Sequence, residues 1–224
     1  MKRALAIVSI VAAHNAAHAA GGRPMTTDDA ALTNTHSCQM ETWLQHARGD
    51  TQLWLLPACN PWGPFEASVG AVVDYPQAAR ASTGMVVQGK AQWLDVTPVQ
   101  VGIAAGAQRV QSLWSLYYAY VPMTISVTSS TQVHANFGWQ RDRIASEDQF
   151  TYAAALAHDL SRNLNAFAEI VGNDSAAPIV QGGGAVLFRG GVIQLDASFG
   201  RPVRGTWRDF IYSIGFELYP DALW

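Results

Sequence analysis

Val192-Ile193-Gln194-Leu195-Asp196-Ala197-Ser198-Phe199-Gly200 alternates without a break. Ile193, Leu195, Ala197 and Phe199 share one face and Gln194, Asp196 and Ser198 the other, because successive side chains of a strand point to opposite sides. Thr131 to Gln140 repeats the split, with Val133, Ala135, Phe137 and Trp139 against His134, Asn136, Gly138 and Gln140. Phe65 to Tyr75 sets Phe65, Ala67, Val69, Ala71 and Val73 against Glu66, Ser68, Gly70 and Asp74, and Phe210 to Leu218 sets aromatic and branched residues against Ser213, Gly215 and Glu217. Each segment runs for about ten residues. A tilted strand needs roughly 9 to 11 to cross a membrane, whereas strands of soluble proteins average about 5 or 6. Length and period together predict membrane-crossing strands.

Working outward from these segments, period two predicts strands at 38–46, 51–58, 65–74, 84–94, 98–106, 116–127, 131–141, 149–159, 164–172, 178–188, 191–200 and 208–218,. The expected fold is all-β, a closed antiparallel transmembrane barrel of about twelve strands. Short turns fall near Asp95 to Pro98, Ser129-Ser130, Ser161-Arg162 and Arg189-Gly190. Longer connections carry Gln77 to Thr83, Gln108 to Ser115, Asp142 to Asp148 and Asn173 to Ala177. A barrel with both termini in the periplasm has this alternation, with tight turns inside and longer loops outside. The tight Arg48-Gly49 turn departs from it.

The N-terminus gives the address. Lys2-Arg3, the apolar run Ala4 to Ala13 and Ala17-His18-Ala19 have the layout of a secretory signal peptide cleaved after Ala19,. The expected organisation is residues 1–19 as signal peptide, 20–37 as a periplasmic N-terminal segment, and 38–224 as the barrel. Beyond the signal peptide no apolar run approaches 18 residues, so insertion has to use strands,. Only 14% of residues are charged, and without Lys2 and Arg3 the 14 basic residues fall to 12 against 17 acidic, which argues against nucleic acid as a partner,.

Cys38 and Cys59 belong to an exported chain, where pairing is favoured,. Their midpoint falls between Arg48 and Gly49, in the turn-like segment that separates them, so they read as a cross-strand disulfide. With Cys38 opposite Cys59, Met40, Thr42 and Leu44 face Pro57, Leu55 and Leu53, and Trp43 meets Trp54 on the other side,.

In a membrane barrel the apolar faces meet lipid and the mixed faces line the interior. The lumen is then lined by Glu66, Lys90, Gln92, His134, Asn136, Gln140, Glu169, Gln181, Gln194, Asp196 and Glu217, together with Asp74, Gln88, Gln100, Gln108 and Ser213. Charges of both signs on that wall, such as Lys90 with Glu66 or Asp196, are open between buried pairs that fill the barrel and the lining of a wet pore. Trp93, Tyr117, Trp139, Phe150, Phe188, Phe210 and Phe216 fall toward strand ends on the apolar face, as an interfacial girdle requires,. Trp224 behind an alternating aromatic strand is the kind of ending the outer-membrane assembly machinery recognises, although Pro220-Asp221 interrupts the alternation.

Several segments resemble a family of bacterial outer-membrane β-barrel transporters related to the phenol-degradation meta-cleavage-pathway barrel proteins. The resemblance is carried by Arg23 to Ala30, Ser37 to Trp43, Pro57 to Asn60, His134 to Trp139, Phe167 to Glu169 and Gln194 to Gly200. It implies an outer-membrane barrel and passage of small molecules, apolar or aromatic ones included.

No reaction is spelled out. His134 and Asn136 share a face, but a nucleophile such as Ser213 belongs to a strand far from theirs, so no catalytic residues are assigned,. The plainer reading of His134 is an interior histidine satisfied by Asn136 and Gln140. No histidine pair has ligand spacing, and Gly182-Gly183-Gly184 lacks the helix and Lys of a phosphate loop, so neither metal nor cofactor is expected,. Asp28-Asp29 is open between a helix cap, a plug at the periplasmic mouth and part of a tether. The expected function is a monomeric channel or facilitator for small-molecule solutes, surrounded by outer-membrane lipid. The alternatives are an outer-membrane lipid-modifying enzyme and a periplasmic lipocalin-like ligand-binding barrel.

Overall fold

The computed structural model describes residues 23–47, 49–77, 80–110, 113–206 and 209–220. The signal peptide at 1–19, the Arg48 turn and Trp224 lie outside the described residues. The strands are β1 (Ser37–Ala47), β2 (Asp50–Asn60), β3 (Phe65–Tyr75), β4 (Ser82–Val96), β5 (Val99–Val110), β6 (Leu113–Thr128), β7 (Thr131–Asp142), β8 (Glu147–Ser161), β9 (Leu164–Asn173), β10 (Ile179–Phe188), β11 (Ile193–Pro202) and β12 (Ile211–Leu218). Each pairs antiparallel with its sequence neighbours, and β1 pairs with β12, so the sheet closes into a barrel of twelve strands with no free edge,. A 3-10 turn, Arg189–Gly191, lies between β10 and β11.

The first hairpin has the register that the cysteines predict. Cys38 faces Cys59, the two are joined by a disulfide, and Met40, Thr42 and Leu44 face Pro57, Leu55 and Leu53. Trp43 and Trp54 stack on the other face with ring centroids 5.2 Å apart. Closing that loop stabilises the fold by roughly 3 kcal/mol in the chain-entropy model.

One loop differs from expectation. Residues 108–115 were expected as a long connection, but β5 runs on to Val110 and β6 starts at Leu113. Gln108, Arg109 and Val110 keep their ladder partners Val86, Met85 and Gly84, and a bulge at Gln108/Arg109 absorbs the change of phase that hid the strand in the sequence,.

The two faces of the wall differ as period two requires. Outward side chains include Leu55, Val69, Ile103, Phe137, Leu156, Leu195, Phe199 and Ile214, with Ile214 64% exposed and Val69 59%. This continuous apolar belt would be a large unfavourable patch in water. Toward the end that carries the barrel's first and last residues lie Trp62, Trp93 and Phe188, and toward the other end lie Trp139, Phe150, Phe199 and Tyr212, all exposed. Tyr117, Phe210 and Phe216, assigned to the same girdle, are half-buried. The inward face is polar and buried, and it positions the site.

Candidate functional site

Residues 23–36 run inside the barrel. Thr27 and Ala30 are fully buried, and Pro24, Asp29 and Thr33 are buried too. The segment has no strand pairing, so its main-chain groups need partners from the wall. Glu169 on β9 accepts from the Thr26 and Thr27 amides at 2.7 Å each and from the Thr27 hydroxyl. Asn136 on β7 holds Asp28 from both sides: its Oδ1 accepts from the amide and its Nδ2 donates to the carbonyl, each at 2.7 Å. Thr124 on β6 accepts from the Ala30 amide at 3.0 Å. Glu66 on β3 accepts from the Thr33 amide at 2.7 Å and from its hydroxyl at 2.5 Å, while Asn60 at the end of β2 donates to the Thr33 carbonyl at 2.7 Å. Gln194 on β11 donates to the Arg23 carbonyl at 3.2 Å.

Side-chain bonds add to this grip. Arg23 Nη2 lies 2.6 Å from Asp196 Oδ1 and 3.2 Å from Ser213 Oγ, and its guanidinium sits 4.7 Å over the Trp43 ring. Room for that pair comes from Gly215, where a Cβ would lie 2.6 Å from Asp196 Oδ2 and 2.7 Å from Arg23 Nη2,. Lys90 donates to Asp28 Oδ1 at 3.1 Å and lies 3.7 Å from Asp29 Oδ1, and the Tyr120 hydroxyl donates to Asp28 Oδ2 at 2.7 Å. Gln181 donates to the Thr26 hydroxyl at 2.9 Å and to Glu169 at 2.5 Å. Burial pushes the Asp29 carboxyl up to about 6, against the pull of the Lys90 ammonium and with added repulsion from Asp28 and Glu66,.

Eight of the residues placed on the inner wall from sequence therefore converge on the segment: Glu66, Lys90, Asn136, Glu169, Gln181, Gln194, Asp196 and Ser213. Lys90 pairs with Asp28 and Asp29 of the segment, and Asp196 with its Arg23. Glu66 and Lys90 are ladder partners, yet each reaches past the other to the segment. Four others form no hydrogen bond with it. His134 is buried, and its Nδ1 lies 3.0 Å from the Thr124 hydroxyl, which replaces Asn136 and Gln140 as the expected partners. Gln140 donates to Gln149 at 2.5 Å, and Gln92 sits half-buried where β4 shifts register. Glu217 lies opposite Glu41 in the ladder, both are buried, and neither Glu217 oxygen has a hydrogen-bond partner. Ser213 is bonded to Ser198 at 2.7 Å.

Sequence reading missed Arg23, Asp28, Asp29 and Glu41 as interior groups, and Tyr118 and Tyr120 as interior rings. At the loop-bearing end a cavity of about 420 Å³ is lined by Tyr118, Tyr120, Tyr152, Gln140 and Asn173, and floored by Thr26 and Asp28. At the opposite end a cavity of about 540 Å³ is lined by Asp95, Pro98, Ser129 and Asp159, and reaches Asp29 and Ala31. Consecutive residues of the segment thus face opposite ends of the barrel. A third space of about 240 Å³ lies between the segment and the wall at Glu41, Trp43 and Ser68.

A family profile described as Uncharacterised conserved protein UCP029691 matches residues 7–218. The chain belongs to this family. Solved structures similar to this family member include a KdgM porin in complex with disordered oligogalacturonate, at TM-score 0.67 and 12% identity over 82% of this chain and 99% of that one. A NanC porin in a rhombohedral crystal form is similar at TM-score 0.61 and 8% identity, over 82% of this chain and all 100% of the other. At such identities the likeness is one of fold. No curated protein sequence matches the chain.

Proposed function

We propose that the protein is an outer-membrane channel for small molecules whose lumen is occupied at rest by its own residues 23–36. The observation that carries this reading is the opposition of the two wall faces: an apolar outer belt bounded by aromatic side chains encloses a polar interior, which suits hydrocarbon outside and water or solute inside. A periplasmic lipocalin-like barrel has no use for Ile214 and Val69 on its outside. The lumen around the segment carries Asp28, Asp29, Glu66, Glu169 and Asp196 against Arg23 and Lys90. That excess of carboxylates favours uncharged or cationic solutes over anions, so an acidic saccharide such as the one in the KdgM complex fits this interior poorly. The rings of Tyr118, Tyr120 and Tyr152 offer a flat stacking surface, in keeping with the aromatic cargo implied by the resemblance to the phenol-degradation barrels,.

On this reading residues 1–19 direct export, lipid surrounds the belt, and the chain works as a monomer inserted through its C-terminal strand. The test is reversal potential in planar bilayers under a salt gradient. A cation-selective current supports the proposal, and an anion-selective current or none from correctly folded protein contradicts it.

A further inference from the structure

The wall grips residues 23–36 chiefly by their main chain. Glu169 takes the amides of Thr26 and Thr27, Asn136 takes both the amide and the carbonyl of Asp28, Thr124 takes the Ala30 amide, and Glu66 with Asn60 takes both groups of Thr33. The segment bends at Thr26-Thr27 and at Ala30, and a peptide that takes the same path offers these N–H and C=O groups whatever its side chains, apart from proline. An apolar aromatic solute offers no such donors, and would leave the buried Glu66 and Glu169 carboxylates unpaired at a cost of about 1–3 kcal/mol or more each. None of the twelve strand pairings uses residues 23–36, so the occupant can leave without breaking the wall.

We infer that the lumen is a main-chain-reading peptide site, with residues 23–36 as its resident occupant, and that it accepts other peptides along the same path in exchange. The side-chain contacts of Arg23, Asp28 and Thr33 favour the resident over competitors but do not define the track. Asn136 is the clearest case, since its amide spends both ends on one residue's backbone. This inference deepens the proposed channel, because it names peptide as a class of ligand for the same lumen. It is tested by binding in detergent, where no current is read, so its failure and the failure of conduction are separate results.

The test uses the full chain and a fluorescein-labelled synthetic peptide spanning residues 23–36, with binding followed by anisotropy. In Asp28→Ala the resident loses its bonds to Lys90 and Tyr120 while the wall stays whole, and this variant is expected to bind the wild-type peptide at least tenfold more tightly than the wild-type protein does. Arg23→Ala, which removes the resident's bond to Asp196 and leaves the wall intact, serves as a second variant should the first fail to fold. A scrambled peptide of the same composition should bind within about tenfold of the native one, and N-methylation at Thr27, Asp28 and Thr33 should weaken binding by more than about tenfold. Absence of saturable binding to both folded variants overturns the inference. So does a scrambled peptide more than tenfold weaker, or an N-methylated one that binds as before.

Discussion

The barrel wall and the segment inside it are held by different chemistry. The wall is a ring of backbone ladders, each strand bonded on both sides, and a disulfide fastens its first hairpin. The segment has no ladder, and hangs on side chains that reach inward from β1 to β12, Asp196 and Glu169 among them. A ladder resists loss of any one side chain, because its bonds are main-chain to main-chain. Side-chain anchors do not. The two regions should therefore come apart under different perturbations, and mutation can separate them.

The largest effect is expected from Lys90→Ala. It strands Asp28 and Asp29 in the lumen, and removing one partner of a buried ion pair costs about 3–5 kcal/mol. Hydrogen exchange at the Thr27, Ala30 and Thr33 amides should accelerate several hundredfold, while the β7 and β8 amides keep their protection. Equal acceleration in both would make wall and segment one cooperative unit. Next, Ile214→Arg puts a charge on the outer belt, where about 2–4 kcal/mol is lost at mid-membrane. Unfolding from lipid vesicles should register that loss, and an unchanged midpoint would place Ile214 outside hydrocarbon. Asn136→Ala leaves the Asp28 amide and carbonyl without partners, and should loosen the segment by roughly 1–3 kcal/mol with wall stability intact.

The smallest effect is a pH dependence. Asp29 has a raised folded value of about 6, so between the ordinary carboxylate range and 6 the docked state binds more protons than the released one. Docking then weakens as pH rises through that window. Segment amides should exchange faster at pH 7 than at pH 5 after correction for intrinsic rates, and Asp29→Asn should flatten the difference. A wild-type segment indifferent to pH would remove Asp29 from the account.

The wall was legible in the sequence because each strand is sampled many times by the same period, and because Cys38 and Cys59 fix one register independently. The inner side of the site was legible for the same reason: Glu66, Asn136, Glu169, Gln194 and Asp196 interrupt apolar alternation at positions of one parity. The segment was not. Residues 23–36 have no period, and whether Asp28-Asp29 caps, plugs or dangles depends on partners such as Lys90 and Tyr120, which lie 62 and 92 residues away. Glu41 escaped because β1 was phased from its Met40, Thr42 and Leu44 face, and the cation opposite its neighbours is supplied by Arg23 of the segment. The 108–115 connection was misjudged because a bulge breaks the period that strand reading relies on.

The most direct test of an occupied channel is single-channel conductance of the full-length wild type beside Lys90→Ala in the same planar bilayer. A small or rarely open wild-type conductance and a larger, more frequently open one in Lys90→Ala is the predicted result. Identical conductance and open probability in the two, with both proteins folded, would contradict it.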